Sequence, residues 1–136
     1  LVEEYEILPL KIGYDRYNAL QLTQQMQQYG FHMDDVFQGE NLYPVIRETE
    51  GLLNDGRIHI GDNDLLKIHL ADAAQQLEGN AETAHPRKKL VKISKNAHVD
   101  GWAALLDAMA MRQFKWNELG KRLMNENKRV KTDGNA

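Results

Sequence analysis

Apolar residues alternate along the chain between a two-residue and a three-to-four-residue rhythm, which predicts strands and helices in turn. Residues 1–5, Leu-Val-Glu-Glu-Tyr, read as the last turn or two of a helix. Lys11-Ile12-Gly13-Tyr14 then predicts a short buried strand that ends on Asp15. Between Tyr17 and Tyr29, Ala19, Leu22, Met26 and Tyr29 fall on one side and glutamines cover the rest, so an amphipathic helix is expected, terminated by Gly30. Phe31 to Phe37 predicts a second strand, although Asp34 and Asp35 interrupt it. After a turn at Gln38-Gly39, Asn41 is a candidate N-cap for a helix striped by Leu42, Val45, Ile46, Leu52 and Leu53. Pro44 is tolerated in its first turn, and residues 54–56 end it.

Arg57 to Ile60 alternates like a short strand. Asp62-Asn63 is a start signal for a third helix carrying Leu65, Leu66, His69 and Ala73 on one side. Residues 77–87 lack a stripe and contain Gly79, Asn80 and Pro86, which predicts a strand end and a loop. Lys88 to Ser94 is strand-like. A last helix is expected from about Ala97 to at least Arg112, with Asn96 as its cap and alanines that allow close packing. Beyond Trp116 the chain is polar and basic, and a frayed end is expected. Alternating strands and helices of this kind define an α/β fold with parallel neighbours joined by crossover helices.

A chain of 136 residues with 42% hydrophobic residues supports a single core, and neither an internal repeat nor a linker divides it. There is no apolar run long enough to span a membrane and no signal-peptide pattern, so a soluble, intracellular protein is expected. The absence of cysteine excludes disulfides, thiol nucleophiles and thiolate metal sites. The net charge of −3 conceals an asymmetry: residues 1–80 carry −9, residues 81–110 carry +2 and residues 111–136 carry +4. A basic C-terminal part suits contact with a polyanion, or is a solvated face.

Asp15 is the most informative acid. It closes a buried strand, where open α/β sheets place ligands, and it either holds a divalent cation or caps the following helix. Asp100 lies in the first turns of the Ala-rich helix, as a metal ligand or as an acid favoured by the helix dipole. Gly101 beside it disfavours a helix by up to ~1 kcal/mol relative to Ala, which signals a close approach of something else. Asp107 shares that face but sits about 10 Å further along the axis, too far to join Asp100 on one ion. The five histidines have no ligand spacing and read as packing or surface residues, with His98 a turn residue that could also meet a phosphate. No phosphate-binding Gly-rich loop and no serine-nucleophile motif is present. Lys88, Lys89, Lys92 and Lys95 either track a phosphate backbone or protect an edge strand from aggregation.

Taken in order, Ile12-Gly13-Tyr14-Asp15-Arg16-Tyr17-Asn18-Ala19, Val36-Phe37-Gln38-Gly39, Leu52-Leu53-Asn54-Asp55-Gly56-Arg57-Ile58, Gly61-Asp62-Asn63-Asp64-Leu65-Leu66 and His98-Val99-Asp100-Gly101 resemble the C-terminal nuclease domain of the large terminase subunit of tailed bacteriophages. The resemblance covers about residues 5–113. It implies a ribonuclease H-like fold, a three-layer mixed sheet with flanking helices, and metal-dependent endonucleolytic cleavage of viral DNA during genome packaging. It also implies Asp15 and Asp100 as catalytic ligands of two Mg²⁺ or Mn²⁺ ions; the nearness of Lys88, Lys89, Lys92 and Lys95 to Asp100 in the sequence favours their contact with DNA. Implied partners are double-stranded viral DNA, the remainder of the large terminase with its ATPase domain, the portal and the small terminase subunit. The implied location is the cytoplasm of the bacterial host.

The chain departs from that family's pattern in four places. The first metal ligand, on a strand upstream of Asp15, is not supplied by residues 1–10, and the ATPase domain is missing. Arg16 stands where proline is usual, and Phe37 where arginine is common. The expectation is therefore a partial nuclease domain over residues 1–113, lacking its first strands and weakly active or inactive alone, followed by a flexible basic tail over 114–136. The alternative is a non-catalytic module that keeps the fold and binds DNA or another packaging protein.

Overall fold

The computed structural model describes residues 2–16, 19–37, 39, 42–78, 87–92 and 94–133, with the side chains at 2, 74–78, 87–92, 126 and 128–133 left aside. It divides into two units, Leu1–Val36 with Ala110–Ala136 and Phe37–Met109. Each is a mixture of helices and a two-stranded sheet.

In the first unit, α1 (Val2–Tyr5) precedes β1 (Ile12–Asp15), and α2 (Leu20–Gln28) carries the chain across to β2 (Met33–Val36). β1 and β2 are parallel, with Ile12 opposite Met33 and Asp15 opposite Val36. This is the strand–helix–strand crossover that the sequence pattern predicts. The helix is shorter than its stripe, and its inner face matches it only in part, at half-buried Ala19 and Met26. Thr23 is buried, whereas Leu20, Leu22 and Tyr29 are exposed. Gly30, at φ 87°, reverses the chain after α2 in a conformation that favours glycine.

The second unit begins with α3 (Leu42–Asn54), whose stripe buries Leu42, Val45, Ile46 and Thr49. The cap expected at Asn41 lies outside the described residues. Arg57 to Ile60 forms no strand. Gly56 and Gly61 turn the chain on either side with φ of 66° and 60°. The amides of Arg57 and Ile58 donate to the Leu52 carbonyl at 2.8 and 3.3 Å. They close the end of α3 and are unavailable to a sheet.

α4 (Asp64–Ala71) starts as expected, with the Asn63 side chain accepting the Leu66 amide. It stops before Ala73. β3 (Ala73–Glu78) instead pairs antiparallel with β4 (Arg87–Lys92), Ala73 opposite Lys92 and Glu78 opposite Arg87. β4 meets the strand expectation over residues 88–92, with Ser94 in a bend; β3 replaces the expected helix end at Ala73 and reaches the strand end expected from residue 77.

α5 (Asp100–Phe114) begins three residues later than predicted, with Asn96 in a turn rather than at the cap. Trp102, Leu106 and Met109, at four- and three-residue spacing, are buried in the second unit, and Ala110 and Met111 in the first. α6 (Trp116–Asp133) occupies the segment expected to fray. Its first turns are supported by the Glu118–Arg122 pair, four residues apart, at 2.9 Å.

Candidate functional site

The first unit places Asp15 at the C-terminal end of a parallel strand, the position expected for a ligand-bearing acid. Its side chain is exposed. Because Asp15 has a partner across the sheet in Val36, its backbone is held by the ladder rather than by a loop. Arg16 leaves the strand and pairs with Asp35, its Nε donating to Oδ2 at 2.9 Å. Asn18, the other polar residue of the resembling motif, lies outside the described residues.

In the same unit, Lys11, Asp34, Lys115, Glu118 and Arg122 form a charge network. Lys11 Nζ lies 3.2 Å from Asp34 and 3.0 Å from Glu118, and Lys115 Nζ lies 2.9 Å from Asp34. The hydrogen bond from Lys115, then that from Lys11, holds the Asp34 carboxyl below its ordinary range. Lys11, followed by Arg122, does the same for Glu118. Asp34 in turn raises Lys115. The network ties β2 and the residue preceding β1 to the first turns of α6. Lys11 and Glu118 are 107 positions apart, so local sequence pattern gave no sign of it.

The second unit places Asp100 at the start of α5, exposed, as the acid of its first turn. The close approach that Gly101 signals is real. A Cβ built there would lie 2.9 Å from Leu66 Cδ1 and 3.0 Å from His69 Nδ1, both on α4. The Gly101 amide donates to His69 Nδ1 at 2.8 Å, and the His98 amide donates to Asp72 Oδ2 at 3.1 Å. The His69 and His98 rings stack with centroids 6.2 Å apart. His98 lies just past the turn at 95–96, in the irregular segment before α5, and His69 does more than pack.

Neither His69 nor Asp72 was singled out by the sequence as a site residue. The available signal was the glycine they approach. Asp107, expected about 10 Å along the helix from Asp100, is buried at 9% exposure. Of the expected basic stretch, positions 88, 89 and 92 are on β4 with side chains outside the described residues, and Lys95 is exposed.

Two exposed carboxylates are donors of the kind hard divalent cations take. Among the described residues no group of three or more His, Asp or Glu side chains is placed to hold a metal ion. No described helix is long and apolar enough to cross a membrane.

These features define a mixed α/β protein with one acid closing a parallel strand and another opening an Ala-rich helix. The chain belongs to the family of the terminase large subunit, endonuclease domain, whose model matches residues 7–118. That span includes both acids, both histidines of the α4–α5 contact and the charge network up to Glu118. Comparison with curated proteins and with solved structures returns no match.

Proposed function

We propose that this chain serves as nuclease machinery of a phage large terminase, in metal-dependent cleavage of double-stranded viral DNA during genome packaging. The observation that carries this reading is the family match over residues 7–118, which runs through both Asp15 and Asp100. The resemblance that brought these two acids forward gives them the role of metal ligands, and the reading keeps it, within a ribonuclease H-like arrangement. A bound Mg²⁺ or Mn²⁺ would activate water and stabilise the leaving oxygen of the phosphodiester. The chain's own contribution is to present Asp15 from a paired strand end and Asp100 from a helix start, both exposed to an approaching substrate.

Lys88, Lys89, Lys92 and Lys95 would neutralise DNA phosphates. The working partners would be viral DNA, the ATPase domain, the portal and the small terminase subunit, in the cytoplasm of the bacterial host. The division into a nuclease part up to residue 113 and a basic segment from 114 is kept here as a functional division. Helix α6 then carries the basic segment.

Thermal unfolding with increasing Mn²⁺ tests the metal site. At an ion concentration 100 times the dissociation constant, binding to the folded state alone stabilises by about 2.7 kcal/mol. The wild-type chain should show such a rise, and Asp15→Asn and Asp100→Asn should each diminish it. A flat wild-type response would favour the non-catalytic module.

A further inference from the structure

We propose that His69 and Asp72 are positioning residues, holding the first turn of α5 and with it the carboxylate of Asp100. The inference rests on the reading of Asp100 as a metal ligand. The two side chains come from the end of α4, where His69 lies in the last turn and Asp72 is the C-cap. Three residues apart, they point to the same neighbour. Asp72 accepts the amide of His98, two residues before Asp100, and His69 accepts the amide of Gly101, the residue after it. The backbone that bears Asp100 is therefore gripped on both sides.

Each contact is chemically specific. The amide of Gly101 belongs to the first turn of α5, where helix amides have no intrahelical acceptor. His69 Nδ1 fills that vacancy as a lone-pair acceptor, which places the ring proton of the neutral side chain on Nε2. The ring of His98 stacks on that side, its centroid 6.2 Å from that of His69. Gly101 completes the device, because a Cβ there would meet His69 Nδ1 at 3.0 Å and Leu66 Cδ1 at 2.9 Å. A glycine that weakens the helix locally is what permits α4 to come within hydrogen-bonding distance of α5.

The consequence is for Asp100 rather than for the fold alone. Residues that orient a metal ligand typically change metal affinity by about 10- to 100-fold when removed. Alanine and conservative variants of the full chain separate positioning from packing. Asn at 69 retains an acceptor near the place of Nδ1, whereas Gln fills similar space with its amide further out. Asn at 72 retains an oxygen that can accept the His98 amide.

Two readouts are measured: hydrogen exchange of the His98 and Gly101 amides, and Mn²⁺ affinity by calorimetric titration. His69→Ala and His69→Gln should speed exchange at Gly101, Asp72→Ala should speed it at His98, and all three should weaken Mn²⁺ binding by about 10-fold or more. His69→Asn and Asp72→Asn should restore most of both. If an alanine variant does not fold, the contrast between Asn and Gln at 69 decides. Wild-type Mn²⁺ affinity in His69→Gln and Asp72→Ala, alongside its loss in Asp100→Asn, would overturn the positioning role and leave the ligand reading intact. Unchanged affinity in Asp100→Asn, or no Mn²⁺ binding by the wild type, would overturn both.

Discussion

Replacing glycine by alanine should have opposite signs at different helical positions of this chain. Gly101, Gly51 and Gly120 all lie in helices, in α5, α3 and α6 respectively. A Cβ at Gly51 or Gly120 would meet nothing within 4 Å. There alanine gains helix propensity, and Gly120→Ala should stabilise by up to ~1 kcal/mol. At Gly101 the same methyl would lie 2.9 Å from Leu66 Cδ1 and 3.0 Å from His69 Nδ1. The leucine end can rotate aside; the imidazole cannot move without giving up its 2.8 Å bond to the Gly101 amide. Overpacking costs about 1–3 kcal/mol, and a lost hydrogen bond about 0.5–1.5 kcal/mol. The propensity gain in a first turn is at most ~1 kcal/mol. The net effect should be destabilisation by about 1–3 kcal/mol. Urea unfolding followed by circular dichroism measures it, and with m near 1–3 kcal/mol/M the midpoint should fall by roughly 1 M. A Gly101→Ala chain as stable as wild type would refute the contact between α4 and α5, particularly if Gly120→Ala shows its expected gain.

Acid should weaken the first unit through its charge network. The carboxyls of Asp34 and Glu118 are held below their ordinary values of 3.8 and 4.5. Their stabilisation is thus complete above those values and is lost as pH falls through the lower folded-state ones. Lys115 has the opposite sign: its contribution is complete below 10.5 and is lost as pH rises through its raised folded-state value. Wild type and Asp34→Asn should therefore differ in stability at pH 7 and converge toward pH 2, as thermal unfolding across that range would reveal; a constant difference contradicts the network. At the start of α4, Asn63→Ala removes the side-chain acceptor 3.0 Å from the Leu66 amide and should cost about 1 kcal/mol in urea unfolding, with Asn63→Asp largely neutral.

What the sequence made legible was local and periodic. The α3 stripe, the crossover from β1 to β2, the Asn63 cap and the position of Asp15 all follow from spacing and end signals within a dozen residues. β3 was not legible for a definite reason. Its sequence, Ala-Ala-Gln-Gln-Leu-Glu, consists of good helix formers, and only pairing with the Lys- and Val-containing β4 makes it a strand. The strand expected at Arg57–Ile60 failed conversely, because alternation is also satisfied by residues whose amides close a helix. Helix α6 was hidden by its polarity. Its few apolar residues, Trp116, Leu119 and Leu123, recur at three- and four-residue spacing within a mostly charged segment.

The candidate site shows why one local misfit outweighs several regular features. A histidine in a helical stripe and an aspartate after it are unremarkable, and neither predicts a role. A glycine inside an Ala-rich helix contradicts its surroundings, and such a contradiction requires a non-local cause. The cause here lies 32 positions upstream, in a ring nitrogen that could not reach the Gly101 amide past a Cβ. Asp15 needs no such device, since a strand partner already fixes its backbone. Asp100 opens a helix, where amides lack intrahelical acceptors and the first turn is free to fray. An acid required at a defined point of that turn needs support from another element, and the contacts from His69 and Asp72 provide it at the residues on either side.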